Sequence, residues 1–296
     1  MQTILGIPAP LLFGQLLIGL INGAFYALLS LGLAVIFGVL NVINFAHGAL
    51  YMMGAFVGWF LLTHLGIGYW PALVLAPLVV GAIGIVIERT MLSRLYDLDH
   101  LYGLLLTFGL ALIIEGLFIN YYGVSGQPYA PPQALQGGYN LGFMFLPAYR
   151  GWVIVASLIV CFGTWLLIER TQLGAYLRAA VERPELVRAF GINVPLMMTL
   201  TYGFAVALAG FAGILAAPVY TVSPIMGQNL IIVVFAIVVI GGLGSILGSI
   251  VTGLGIGLVE GLTRTFWPEA SSTVVFVIMA IVLILRPHGL FGRPRE

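Results

Sequence analysis

The chain contains no lysine; all eleven of its basic residues are arginines. A Walker A loop needs a lysine on the nucleotide phosphates, so any ATP used by this protein is expected on another chain. The single cysteine, Cys161, sits in an apolar run and can form no disulfide within the chain, which argues against redox chemistry. Four histidines, at 47, 64, 100 and 288, lack metal-ligand spacing and no HExxH occurs, so no metal site is expected. Charge is scarce too: 7% of the 296 residues are charged and 61% are hydrophobic. Soluble domains carry about 25% charged residues. There are too few polar side chains here to coat a soluble core.

What is present instead is a series of apolar segments near the roughly 20 residues that a bilayer-crossing helix needs. They cover about 11–40, 46–66, 70–90, 101–121, 151–169, 197–219, 229–264 and 272–286. Alternating segments of about 10 residues, the mark of a membrane β-barrel, are absent. The expectation is an all-α polytopic membrane protein with about 8–10 transmembrane or half-membrane helices in two pseudo-repeated halves, forming one domain over 1–296. The first and seventh segments exceed one ordinary span, so each is expected to be a broken helix or two short ones. MQTILGIPAP has no basic stretch, so the first apolar segment is expected to remain as the first membrane helix.

Arginines orient the spans. Arg89 and Arg94, then Arg170, Arg178, Arg183 and Arg188, then Arg286, Arg293 and Arg295 mark three cytoplasmic regions by the positive-inside rule. The 122–150 connection carries only Arg150 and belongs outside. With the C-terminus inside, 229–264 must contain an even number of passes; the side of the N-terminus stays open. Small residues recur at helix-packing spacing: Gly19 and Gly23, Gly54 and Gly58, Gly244 and Gly248, and Gly253, Gly257 and Gly261.

The loop 170–196 is the most charged internal stretch. A first short helix is expected at about 173–181. Pro184 suits the first turn of a second, with Glu185 near its start and Arg188 near its end, as the helix dipole favours. Gly191 is placed to end that helix, and Pro195 follows before the next span. The plain reading is a solvated loop with inward arginines. The sharper one is a coupling hairpin, since Ala179, Ala180, Val181, Leu186, Val187, Ala189 and Phe190 are more apolar than a free loop needs.

Polar residues at membrane depth are costly and face a cavity, a partner or a carbonyl. NVINFAHGAL, residues 41–50, places Asn41, Asn44 and His47 between two apolar segments. Glu115 stands on a span otherwise free of charge, while Glu260 has Arg264 one turn away and can pair with it. Gln228 and Asn229 follow Pro224 and Gly227 at the start of the second interrupted segment, and VVIGGLGSILGS (238–249) then inserts a glycine-rich turn. Interrupted segments in both halves point to a transport path at a repeat interface.

GLINGAFYALLSLGLAVIFGVLNVINFAHGALYMMGA (19–55), IER (87–89), TFGLALIIEG (107–116), GAYLRAAVERPELVRAFGIN (174–193), VVIGGLGSILGSIVTG (238–253) and PHGLFGRP (287–294) together resemble the permease subunits of branched-chain amino acid ABC importers, of the Liv-type H branch. The resemblance implies a multi-pass protein of the bacterial inner membrane that is not itself an enzyme. It implies a paralogous permease, two cytoplasmic ATPase subunits that hold ATP and magnesium, and a periplasmic binding protein as partners, and no nucleic acid. The loop at 174–191 would be the coupling element, with Arg178, Glu182, Arg183, Glu185 and Arg188 toward the ATPase. Arg178, Ala179 and Ala180 stand where Glu-Ala-Ala is usual, a departure that fits this branch.

Asn41, Asn44 and His47 are then expected to fold a non-helical segment beside the translocation path, with Glu115, Gln228 and Asn229 as further path or support residues. Relatives of such permeases also carry urea, short amides or aromatic acids, so substrate class is open. A passive channel would explain interrupted helices but not the apolar hairpin. An intramembrane enzyme would need a nucleophile–base pair, which is not found.

Overall fold

The structure is a computed structural model that describes residues 3–4, 7–96 and 98–292; Arg293 and Arg295 lie outside the described residues. Among these, seven helices are long and apolar enough to cross a membrane: α1 (Ala9–Leu40), α2 (Ala46–Leu65), α3 (Tyr69–Thr90, continuing to Arg94), α4 (His100–Tyr122), α5 (Ala148–Arg170), α8 (Val194–Ala216) and α10 (Ile246–Phe266). Two shorter apolar helices, α9 (Gln228–Gly241) and α11 (Val274–Leu285), complete the bundle. Between α5 and α8 lie two short helices, α6 (Gln172–Glu182) and α7 (Pro184–Ala189).

The seventh apolar segment divides as expected, into α9 and α10. The first does not. α1 runs unbroken for 32 residues, and its interruption comes only at its end, where Asn41 takes a left-handed conformation (φ 55°) and residues 41–45 leave the helix. The glycines inside α1 do not break it, because they are seams. Gly19 and Gly23 lie against Gly253, Leu254, Gly257 and Gly261 of α10, so close that no side chain fits between the backbones. Gly54 and Gly58 serve α2 in the same way against Gly210 and Ile214 of α8. Gly244 departs from that pattern: it sits in the turn between α9 and α10 at φ 82°, against Gly38.

Helix neighbours repeat in an ordered way. α1 packs along α10 as α8 packs along α3; α2 touches α8, α3 and α4 as α9 touches α1, α10 and α11. Exchanging α1 with α8, α2 with α9, α3 with α10 and α4 with α11 maps one half onto the other. With the arginine-rich ends inside, α1 runs inward and α8 outward, so the halves are inverted repeats. The repeat sets the break at 41–45 opposite the non-helical stretch 217–227, not opposite the glycine-rich turn before α10. Sequence similarity does not display this, because helix packing requires only small residues at matching positions.

The hairpin 170–196 folds as its caps dictate. α7 starts with Pro184 and ends before Gly191 (φ 82°). Pro195 lies inside the first turn of α8 rather than ahead of it, where its missing N–H costs no bond, and the Asn193 side chain caps that turn by accepting from the Leu196 N–H at 3.1 Å. Residues after α11 fold back on α9: Leu290 and Phe291 N–H groups donate to the carbonyls of Ile240 and Gly241, satisfying the end of a helix that stops inside the bundle.

Candidate functional site

The break at 41–45 is held by a neighbouring helix. The Thr107 hydroxyl of α4 donates to the Ile43 carbonyl (3.0 Å) and accepts from the Phe45 N–H (3.2 Å). Thr107 lies seven residues beyond the cytoplasmic start of α4, which places the break about 10 Å along that helix from its cytoplasmic end. Backbone that leaves a helix at such a depth needs protein partners for its polar groups, and Thr107 supplies two of them.

Asn44 and His47 are fully enclosed. The Asn44 amide donates to the Tyr202 hydroxyl of α8 at 3.1 Å, while its Oδ1 is buried without a partner. His47 Nε2 lies 3.2 Å from the Leu29 carbonyl of α1, so Nε2 carries the hydrogen and Nδ1 is left as a buried acceptor. The ring packs against Gly32, where a side chain would strike it. These residues bind α2 to α1 and α8. Tyr51, one turn further along α2, is likewise buried with its hydroxyl unpartnered.

The start of α9 meets the start of α2. Gly227 and Gly48 lie backbone to backbone, and the Gly227 carbonyl would be 2.7 Å from a side-chain carbon on Gly48. Gln228 and Asn229, in the first turn of α9, are exposed. The preceding stretch returns from the outer side, where Val222 pairs with Gln127 of the long outer loop through two backbone hydrogen bonds of 2.8 and 3.0 Å. Two helices of opposite direction therefore begin near one point in the middle of the bundle. Both helices present their N-terminal, positive ends inside the bundle.

Glu115 is buried on α4 and makes no hydrogen bond or ion pair among the described residues. It stands two turns beyond Thr107, apart from the Asn44–His47 group. Glu260 pairs with Arg264 at 2.5 Å and accepts from the Tyr26 hydroxyl at 2.8 Å, a structural role joining α10 to α1.

At the cytoplasmic hairpin, Arg178, Glu182, Arg183, Glu185 and Arg188 are all exposed. Arg178 is the best fixed of them, donating to the Ile168 carbonyl (3.2 Å) and lying 3.5 Å from the Glu169 carboxylate. Gly174, Leu177, Ala180 and Val187 turn inward. Phe190 is 84% exposed, an apolar ring presented at the tip.

Sequence reasoning passed over Glu88 and Tyr202, both buried beside this group. Glu88 was hidden by Arg89 next to it in a helix-end arginine cluster, and Tyr202 by the apolar run around it. Among the described residues no three His, Cys, Asp or Glu side chains gather as metal ligands would.

A family model described as branched-chain amino acid transport system, permease component, matches residues 15–284. The chain is 30% identical to the high-affinity branched-chain amino acid transport system permease protein BraD of Pseudomonas aeruginosa, over 95% of each chain. It is 27% identical to LivH of Escherichia coli K12, again over 95% of each. It is also 28% identical to the permease protein LivM of the same bacterium, over 91% of this chain and 68% of LivM. No solved structure matches significantly.

Proposed function

Because the chain belongs to the family of permease components of branched-chain amino acid transport systems, a family of multi-pass transport subunits rather than enzymes, we propose that it lines the path of an ATP-driven importer for branched-chain or related amino acids. The observation that carries this reading is the meeting of α2 and α9 at Gly48 and Gly227. An amino acid crossing a bilayer exposes its carboxylate to a medium that solvates it poorly. Two positive helix ends inside the bundle offset that cost.

Asn41, Asn44 and His47 hold the break that lets α2 start there, and Gln228 and Asn229 present polar groups on the exposed turn of α9. Glu115 adds support from α4. The whole chain, 1–296, acts as one permease domain with the loop 170–196 as its coupling element. Arg178, Glu182, Arg183, Glu185 and Arg188 meet the cytoplasmic ATPases there, around the Phe190 ring.

Similarity to both LivH and LivM supports pairing with a paralogous permease of the same fold. Two ATPase chains carry ATP and magnesium, and a periplasmic binding protein delivers substrate. The test is uptake by the purified complex in proteoliposomes, with its binding protein and radiolabelled leucine, urea, acetamide or phenylalanine. ATP-dependent leucine accumulation is expected. Accumulation of urea or acetamide alone would move the substrate class, and equilibration without ATP would make the chain a channel.

A further inference from the structure

Glu88 is a carboxylate in the last turn of α3, 2% exposed. One oxygen, Oε1, accepts from the Tyr96 hydroxyl at 2.7 Å; the other, Oε2, is buried and unpartnered. An unpaired carboxylate oxygen in an apolar bundle is expensive, so its neighbourhood calls for a donor. α8 packs along α3 and carries a donor in the register of Glu88: Tyr202 precedes Gly203, where a side chain would strike Ile85, one turn before Glu88. Tyr202 is fully buried. Its hydroxyl accepts from Asn44 and makes no other hydrogen bond among the described residues, so its own hydrogen is free to be given.

Tyr96 stands outside the membrane helices, in the connection between α3 and α4. Burial and then the Glu88 carboxylate push its hydroxyl well above the ordinary tyrosine range, which keeps it a donor. Thus two hydrogen-bonded pairs, Asn44 with Tyr202 of α8 and Tyr96 with Glu88 of α3, lie between the break at 41–45 and the cytoplasmic connection. Those two bonds are made; the hydrogen bond that would join them, from the Tyr202 hydroxyl to Glu88 Oε2, is not made in this structure.

We propose that Glu88 and Tyr202 are positioning residues that couple the cytoplasmic 91–99 connection to the break at 41–45, by making and releasing the Tyr202–Glu88 hydrogen bond as the bundle changes state. The proposal rests on the transport reading for its purpose. A carboxylate suits the role because hydrogen bonds to charged groups are stronger than neutral ones, so one link can move a backbone segment. Sequence placed no function at either residue.

The experiment is hydrogen–deuterium exchange of the amides of 41–48 in the full complex, comparing wild type with Glu88→Gln, Tyr202→Phe and the double variant. Each single variant should speed exchange there by about tenfold, the loss expected for one hydrogen bond to a charged group. The double variant should add little more, since both remove the same link. Tyr96→Phe, at the half-buried cytoplasmic end, should give a smaller increase and guards against misfolding of the fully buried variants. Ser157→Ala, which removes a buried unpartnered hydroxyl on α5 outside both pairs, should leave 41–48 unchanged. Unchanged exchange in both single variants would overturn the proposal, as would an equal increase from Ser157→Ala. Exchange does not depend on which substrate is carried. Failure of wild-type uptake would therefore count against the transport reading alone.

Discussion

Gly48 at the start of α2 and Gly227 at the start of α9 exclude side chains reciprocally: a carbon added to either would fall within contact distance of the other's carbonyl oxygen. The contact lies where the two inverted halves meet, so it fixes how the interrupted helices of both halves are set against each other. Gly48→Ala must also displace Ile231, whose Cβ would lie 3.0 Å away. Gly48→Ala or Gly227→Ala should destabilise the chain by about 1–3 kcal/mol, the usual cost of overpacking. Thermal unfolding of the detergent-solubilised complex measures it. Gly109→Ala, which meets open space, is the matched control and should leave the midpoint unchanged.

Asn41 holds the left-handed turn that ends α1. Asparagine and glycine adopt that conformation readily, whereas a β-branched residue does not. Asn41→Gly should retain more stability and uptake than Asn41→Val, which should lose about 1–3 kcal/mol along with most transport. Equal behaviour of the two variants in a melting and uptake comparison would show that the backbone conformation is not what position 41 supplies.

The hairpin prediction separates charge from apolar contact. Replacing Arg178, Glu182 and Arg188 together by alanine should weaken ATPase recovery in a pull-down or uncouple hydrolysis from uptake. Phe190→Ala should weaken recovery by about tenfold or more, as loss of an aromatic anchor does at an interface. Phe190 makes few contacts with its own chain, so the melting point of the permease alone should not move. Unchanged uptake in the triple variant would remove the coupling role from these three residues.

Glu260, Arg264 and Tyr26 form a linked set within the bundle. Arg264→Ala leaves the Glu260 carboxylate with only the Tyr26 hydroxyl, whereas Glu260→Gln retains a hydrogen-bonding group for Tyr26 and leaves the arginine, the more exposed partner, able to reach water. Arg264→Ala should therefore be the more destabilising, and adding Glu260→Gln to it should restore part of the loss. A strictly additive double-mutant cycle would show that the pair does not act as a unit.

Much of this protein was fixed by composition and punctuation. Seven percent charge with long apolar runs leaves only a membrane bundle. The Pro184 to Gly191 punctuation marked where α7 lies, Pro184–Ala189, because caps act locally. The glycine spacing of 253, 257 and 261 marked a seam, since close backbone approach requires absent side chains. What the tertiary structure alone decided is which seam faces which. α1 proved to be one helix because α10 covers its glycines, and the inverted pairing put 41–45 opposite 217–227. The Asn44–Tyr202 hydrogen bond was invisible for the same reason. It joins residues 158 positions apart, and a hydrogen bond between distant segments leaves no spacing pattern in either.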